Sequence, residues 1–152
     1  DRLWITSRGD HKDVQPQLVC FQPISNSLLP IANVPAVSEM VIIGDSMYYY
    51  GAHWNDETMS NTITYGVIDI RYPIADSQYP TSEPRPFITD GTEKDIKIPY
   101  GIQVNPYNGD IYITDAKNYV SSGQLHCYSR EGKRKWSVRT GDIPAHMCFV
   151  YR

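Results

Sequence analysis

Short strand-like runs recur along the chain, each reading apolar, aromatic, β-branched or aromatic, Thr or Tyr, then a small or polar residue. Nowhere does an apolar period of 3.6 persist long enough to argue for a helix. Leu3-Trp4-Ile5-Thr6-Ser7, Met47-Tyr48-Tyr49-Tyr50-Gly51 and Ile111-Tyr112-Ile113-Thr114-Asp115 superpose as one motif, with starts separated by 44 and then 64 residues. A second motif, Val34-Pro35-Ala36-Val37, Ile98-Pro99-Tyr100-Gly101 and Ile143-Pro144-Ala145-His146, recurs at offsets of 64 and 45 residues. Two unrelated motifs with nearly the same offsets mark an internal repeat. Each unit then supplies a third strand (Gln17 to Phe21, Tyr65 to Ile70, Gln124 to Tyr128) and a fourth (Leu29 to Ala32, Pro86 to Thr89, Lys135 to Val138). Asn108-Gly109 between two alternating runs is a strong hairpin signal. Gly44-Asp45-Ser46 and Arg130-Glu131-Gly132-Lys133 sit at comparable junctions.

Four antiparallel strands in a unit of about 45 residues form the pattern of a β-propeller blade. The expected fold is all-β: a β-propeller fragment of about three four-stranded antiparallel blades, as a single domain over 1–152. With strands lettered A to D, the chain reads BCD-ABCD-ABCD-A. Blade 1 holds strands B to D in 1–33. Blade 2 spans 34–97, with a Pro-rich insertion at 72–86, and blade 3 spans 98–141. A closing strand follows in 142–152. Pro73, Pro80, Pro84 and Pro86 donate no ladder hydrogen bonds, so the insertion reads as an exposed loop.

Composition agrees. Ile, Val, Thr, Tyr, Phe and Trp number 53 against 11 for Ala and Leu, a bias toward pleated, half-buried surfaces. An apolar fraction of 41% in 152 residues suffices for a core and rules out wholesale disorder. The net charge of −3 argues against a nucleic-acid-binding surface, and no apolar run is long enough to span a bilayer. Cys20, Cys127 and Cys148 lack metal-ligand spacing and read as buried thiols. A chain opening on Asp1-Arg2 directly before a strand reads as a processed product or an excised fragment, here the C-terminal half of a longer propeller. Closed rings use about four to eight blades. Three blades therefore imply either a larger ring or self-assembly, with two copies forming a homodimer that closes a six-bladed ring.

Tyr112-Ile113-Thr114-Asp115, after Val104-Asn105-Pro106-Tyr107-Asn108-Gly109-Asp110, resembles the repeat of surface-layer-type propellers named for a Tyr-Val-Thr-Asn motif, which are NHL-like. The run from Ile98 to Val150 is similar to the C-terminal part of a group of uncharacterised secreted or lipid-anchored propeller proteins of Bacteroidetes. The middle unit departs from it, with Tyr50-Gly51 where Thr114-Asp115 stands. The resemblance implies a seven-bladed-type propeller outside the cytoplasm, in the periplasm or at the cell surface. It brings no established activity and no catalytic residues.

In a propeller the D–A and B–C loops emerge on one face around the channel mouth, where binding sites commonly lie. That face would carry Tyr100 and His146 from D–A loops. Arg8, Asp10, His11, His53, Trp54, Asp115 and Lys117 would come from B–C loops. Histidines, cations, carboxylates and aromatic rings suit a carbohydrate, a small anionic ligand or a protein partner. His146 stands out because Val37 and Gly101 occupy its equivalents, and Asp115 suits capping of its own loop backbone. His126 and Cys127, adjacent on a strand, point to opposite faces and form no dyad. Asp90-Gly91-Thr92-Glu93-Lys94-Asp95 lacks the ligand pattern of an EF-hand and reads as a solvated turn. Lys133-Arg134-Lys135-Trp136 reads as a charged edge, and Tyr48, Tyr49 and Tyr50 as packing between blades. The functional expectation is a non-catalytic, cofactor-free extracytoplasmic binding module. Its alternative is a metal-dependent lyase or hydrolase with His146 and His53 as ligands or bases.

Overall fold

The computed structural model describes residues 2–7, 13, 14, 16–31, 34, 37–55, 57–71 and 83–150. Its strands form three antiparallel sheets that follow one another along the chain. The first holds β1 (Leu3–Ser7), β2 (Gln17–Gln22) and β3 (Ser27–Ile31) in that order. The second holds β4 (Glu39–Ile43), β5 (Ser46–Asn55), β6 (Ser60–Asp69) and the two-residue β7 (Arg85–Pro86). The third holds β8 (Pro99–Val104), β9 (Ile111–Asp115), β10 (Ser122–Tyr128) and β11 (Arg134–Asp142). Among the described residues the three sheets do not close on themselves, and no helix is long and apolar enough to cross a membrane.

Strand periodicity decides how the sheets stack. On β5, Met47 and Tyr49 point to one side and join Leu18, Cys20, Val37, Ile68 and Ile70, with Trp4 and Leu29 packed against them. Tyr48 and Tyr50 point to the other side, toward Tyr65, Val67, Ile102, Ile111, Ile113 and Tyr128. Successive strand residues face opposite ways, so the second sheet is covered on both faces, by the first sheet on one and the third on the other. Gly66 belongs to this packing, since a Cβ there would collide with the Tyr49 ring. The three consecutive tyrosines thus serve both interfaces.

The sheet 2–sheet 3 interface has a second layer of polar contacts. Phe87 leaves β7 to pack edge-on against Tyr48 and Tyr65, with ring centroids at 5.7 and 6.1 Å. Pro86 gives its edge strand no donor there, and Thr89, beyond β7, bonds to the turn between β10 and β11. Its N–H reaches the Gly132 carbonyl at 2.9 Å and its hydroxyl the Glu131 carbonyl at 2.8 Å. Gly132 sits at φ 81° with Phe87 so close that a Cβ would strike the Phe87 carbonyl. Beside it, the Arg134 guanidinium donates to the Asp95 carboxylate at 2.7 Å, to the Thr92 carbonyl, and to the Tyr128 hydroxyl at 3.3 Å. Asp90 accepts from the Thr92 hydroxyl at 2.6 Å and from the Arg134 N–H at 2.7 Å. Desolvation opposes ionisation of Asp90, yet these bonds hold its carboxyl below the ordinary range.

Four local expectations change or sharpen. The Asp90–Asp95 turn is exposed at Asp90, Gly91, Lys94 and Asp95, as a solvated turn is, and it also clamps two sheets, because Arg134 reaches it from the third sheet. In the Lys133–Trp136 cluster, Arg134 is drawn inward and Lys135 pairs with the buried Asp110 at 2.7 Å, so the cluster is only partly a free charged edge. Residues 143–150, where a closing strand is expected, join none of the sheets among the described residues. Cys20 and Cys127 are buried but Cys148 is exposed, because it lies on this tail. Most of the Pro-rich insertion lies outside the described residues.

Candidate functional site

Asp115 ends β9 fully buried, and its carboxylate accepts three backbone N–H groups. Ile98 and Lys117 donate at 2.8 Å each and Lys97 at 3.2 Å. The Ala116 N–H adds a 2.9 Å bond to the Ile98 carbonyl. One side chain therefore stitches the segment entering β8 to the turn leaving β9. Capping by Asp115 is as the sequence suggests, but its reach to the neighbouring D–A segment required the fold. Because its oxygens are occupied by backbone, Asp115 supports the surface and is not a group that meets a ligand.

The turn it fixes is compact. Asn118 Oδ1 accepts from the Val120 and Ser121 N–H groups at 3.1 and 2.8 Å, and Tyr119 N–H donates to the Ala116 carbonyl at 3.0 Å. Lys117 and Tyr119 occupy left-handed backbone, at φ 54° and 63°. That conformation costs a non-glycine residue about 1 kcal/mol and is rare for a bulky one. It directs the Tyr119 ring to the Tyr100 ring on β8, edge-on at 5.6 Å and 78°. The rings are 48% and 36% exposed, so the pair forms an aromatic surface. Sequence reasoning missed Tyr119. Its signal was an aromatic residue two positions after Lys117, in a turn pinned by Asp115 and Asn118.

His146 lies on the tail after β11, its side chain 87% exposed. Its Nδ1 is 3.5 Å from the Glu39 carboxylate, and the other Glu39 oxygen accepts the Tyr50 hydroxyl at 3.0 Å. Glu39 was not among the expected residues, since nothing in β4 links it to residue 146 before the chain folds. Arg8, Asp10 and His11 lie outside the described residues. So do the side chains of His53 and Trp54, whose backbones pair with Thr62 and Asn61 across β5 and β6. Of the expected set, the structure brings Tyr100, Asp115 and Lys117 together on one turn system. The Ala145 carbonyl, packed over Gly101, places His146 beside that system's strand.

His126 and Cys127 do face opposite ways. His126 points between the second and third sheets, its Nδ1 2.7 Å from the Ser137 hydroxyl. Burial, then the nearby Arg134 charge, holds its pKa below the ordinary value. Its Nε2 and the Tyr65 hydroxyl are buried with no hydrogen-bond partner among the described residues. Burial pushes the Cys127 thiol up, which suits packing and not nucleophilic chemistry. Among the described residues, no three His, Cys, Asp or Glu side chains gather as metal ligands. Against protein-family models and against curated protein sequences, this chain returns no match.

Proposed function

We propose that this chain is a propeller segment working outside the cytoplasm as a non-catalytic binding module. In this reading a rigid stack of sheets presents loops to a carbohydrate. Tyr100 and Tyr119 supply the ring faces and Lys117 and His146 the polar contacts. The observation that carries the reading is the Tyr100–Tyr119 pair. Two partly exposed rings sit on a turn fixed by a buried carboxylate, with one held in an unfavourable backbone conformation. Strain retained at an exposed aromatic position points to use of that side chain, and rigid aromatic anchors bind at low entropic cost. The blade reading draws on antiparallel sheets of three, four and four strands in sequence order, stacked face to face. The location outside the cytoplasm draws on the resemblance of 98–150 to secreted and lipid-anchored propellers.

The test is a panel of neutral and acidic oligosaccharides titrated against the whole chain, with intrinsic fluorescence and calorimetry as readouts. Binding that falls at least tenfold in Tyr119→Gly, while thermal stability is unchanged or slightly raised through relief of the left-handed backbone, supports the reading. No binding by the native chain, or equal binding by this variant, overturns it.

A further inference from the structure

The Asn108-Gly109 pair that signals a hairpin also carries chemistry of its own. Glycine has no Cβ to shield its nitrogen, and an asparagine before it brings an amide carbon within reach of that nitrogen. In the turn between β8 and β9 both of these groups are tied down. The Gly109 N–H donates to the Asn105 carbonyl at 2.9 Å, with Gly109 in left-handed backbone at φ 74°. The Asn108 amide is held at both ends. Its Nδ2 donates to Asp110 Oδ2 at 3.0 Å, and its Oδ1 accepts the Asp110 N–H at 2.9 Å. Asn108 is nevertheless exposed, so water reaches it.

Asp110 is the anchor of this arrangement. It is 7% exposed, and its carbonyl accepts the Asn105 N–H at 2.8 Å. Its Oδ2 also accepts Lys135 Nζ from β11 at 2.7 Å. One carboxylate oxygen thus serves both Asn108 and Lys135 and joins the β8–β9 turn to β11.

We propose that Asn108 is a self-modification site, converted to aspartate or isoaspartate when this turn opens and protected while Asp110 holds it shut. The Gly109 nitrogen bonds to Asn108 Cγ as the Cγ–Nδ2 bond breaks. Nδ2 leaves as ammonia, taking the proton that the Gly109 nitrogen gives up, and a cyclic imide remains. Water then opens the imide at one carbonyl to leave aspartate, or at the other to leave isoaspartate, with no change of oxidation state. Neither reacting group is free while its bonds to Asn105 and Asp110 stand. The rate in the folded chain therefore follows the population of the opened turn.

The product disturbs the fold. A negatively charged oxygen takes the place of Nδ2, which lies 3.0 Å from Asp110 Oδ2. Like charges at that distance are unfavourable, and Lys135 then faces two carboxylates. Isoaspartate also lengthens the backbone of a loop that sets the β8–β9 register, in which Val104 opposes Ile111. β8 carries Tyr100 and β9 ends at Asp115, so loosening runs from this turn toward the Tyr100–Tyr119 surface. The site itself stands whether or not that surface binds a ligand.

In the test, the whole chain is incubated in mildly alkaline buffer, native and in urea. Peptide mass spectrometry follows residue 108, with isoaspartate measured separately. Conversion should proceed in urea and be at least about fivefold slower in the native chain, the factor set by breaking one hydrogen bond. The native Gly109 amide should exchange slowly. Asp110→Ala should raise the native rate by about that factor without changing the rate in urea. Asp110→Asn, which keeps an acceptor oxygen, should stay slower than Asp110→Ala. No conversion in urea, equal native and urea rates, unprotected Gly109 exchange, or a folded Asp110→Ala chain that converts no faster would each overturn the proposal. Should Asp110→Ala fail to fold, the native-against-urea comparison and the Gly109 exchange decide it.

Discussion

The two interfaces of the middle sheet are built differently. Between the first and second sheets the contact is mainly a sheet face against a sheet face: Leu18, Cys20, Met47, Tyr49, Ile68 and Ile70, with Trp4 and Leu29 beside them, and at its end the Arg2 guanidinium donates to the Ile70 and Arg71 carbonyls at 3.2 and 3.1 Å. Between the second and third sheets a comparable apolar layer is joined by directional contacts. The Thr89 bonds to the 131–132 turn and the Arg134 reach to Asp95, Thr92 and Tyr128 allow one position of one sheet over the other. Apolar burial is non-directional and holds two sheets together. Hydrogen bonds add little net free energy each, but fix where the sheets sit. The Tyr100–Tyr119 pair belongs to the third sheet, on the directionally fixed side, as the proposed binding role requires.

Predictions that probe this contrast run from the apolar interface to the polar one. Tyr49→Ala removes a fully buried ring from the first interface and should cost about 4 kcal/mol, read as a lowered urea midpoint. Its hydrogen exchange should rise first in β1 to β3, and a uniform rise would show that the two interfaces do not separate. Arg134→Ala should cost about 2 kcal/mol and speed exchange at Thr89 and in the 92–95 turn while leaving β2 protected. Equal loosening of the first sheet would contradict a local clamp.

The smallest effect is a pH dependence at the second interface. Burial lowers the folded-state pKa of His126 from its ordinary 6.5, so the unfolded chain takes up the proton first as pH falls. The stability tied to a neutral His126 is complete above 6.5 and is lost progressively below it, down through the depressed folded value. Thermal melts from pH 7.5 to 5 should therefore show a fall that His126→Gln flattens. An unchanged slope in that variant would remove His126 from the account.

Strand identity was legible wherever side chains alternate, because period two is a local property. The motif shared by Leu3–Ser7, Met47–Gly51 and Ile111–Asp115 is found at β1, β5 and β9. Asp115 was legible as a loop cap for the same reason, since its Lys117 N–H is two residues away. Its bonds to Lys97 and Ile98 were not, nor was Glu39 beside His146, because each joins residues distant along the chain. The exposed Asp90–Asp95 turn was legible as a turn, with Asp90 accepting from Thr92 two residues on, but its distant partner, Arg134, arrives from another sheet.

By itself the sequence determined that the chain makes repeated antiparallel sheets, since backbone pleat and side-chain branching act over a few residues. Only the tertiary structure decided which face meets which, that Tyr100 and Tyr119 form one surface, and that residues 143–150 lie across the third sheet. Those outcomes depend on where sheets stop against one another in space, and no spacing along the chain encodes such a stop.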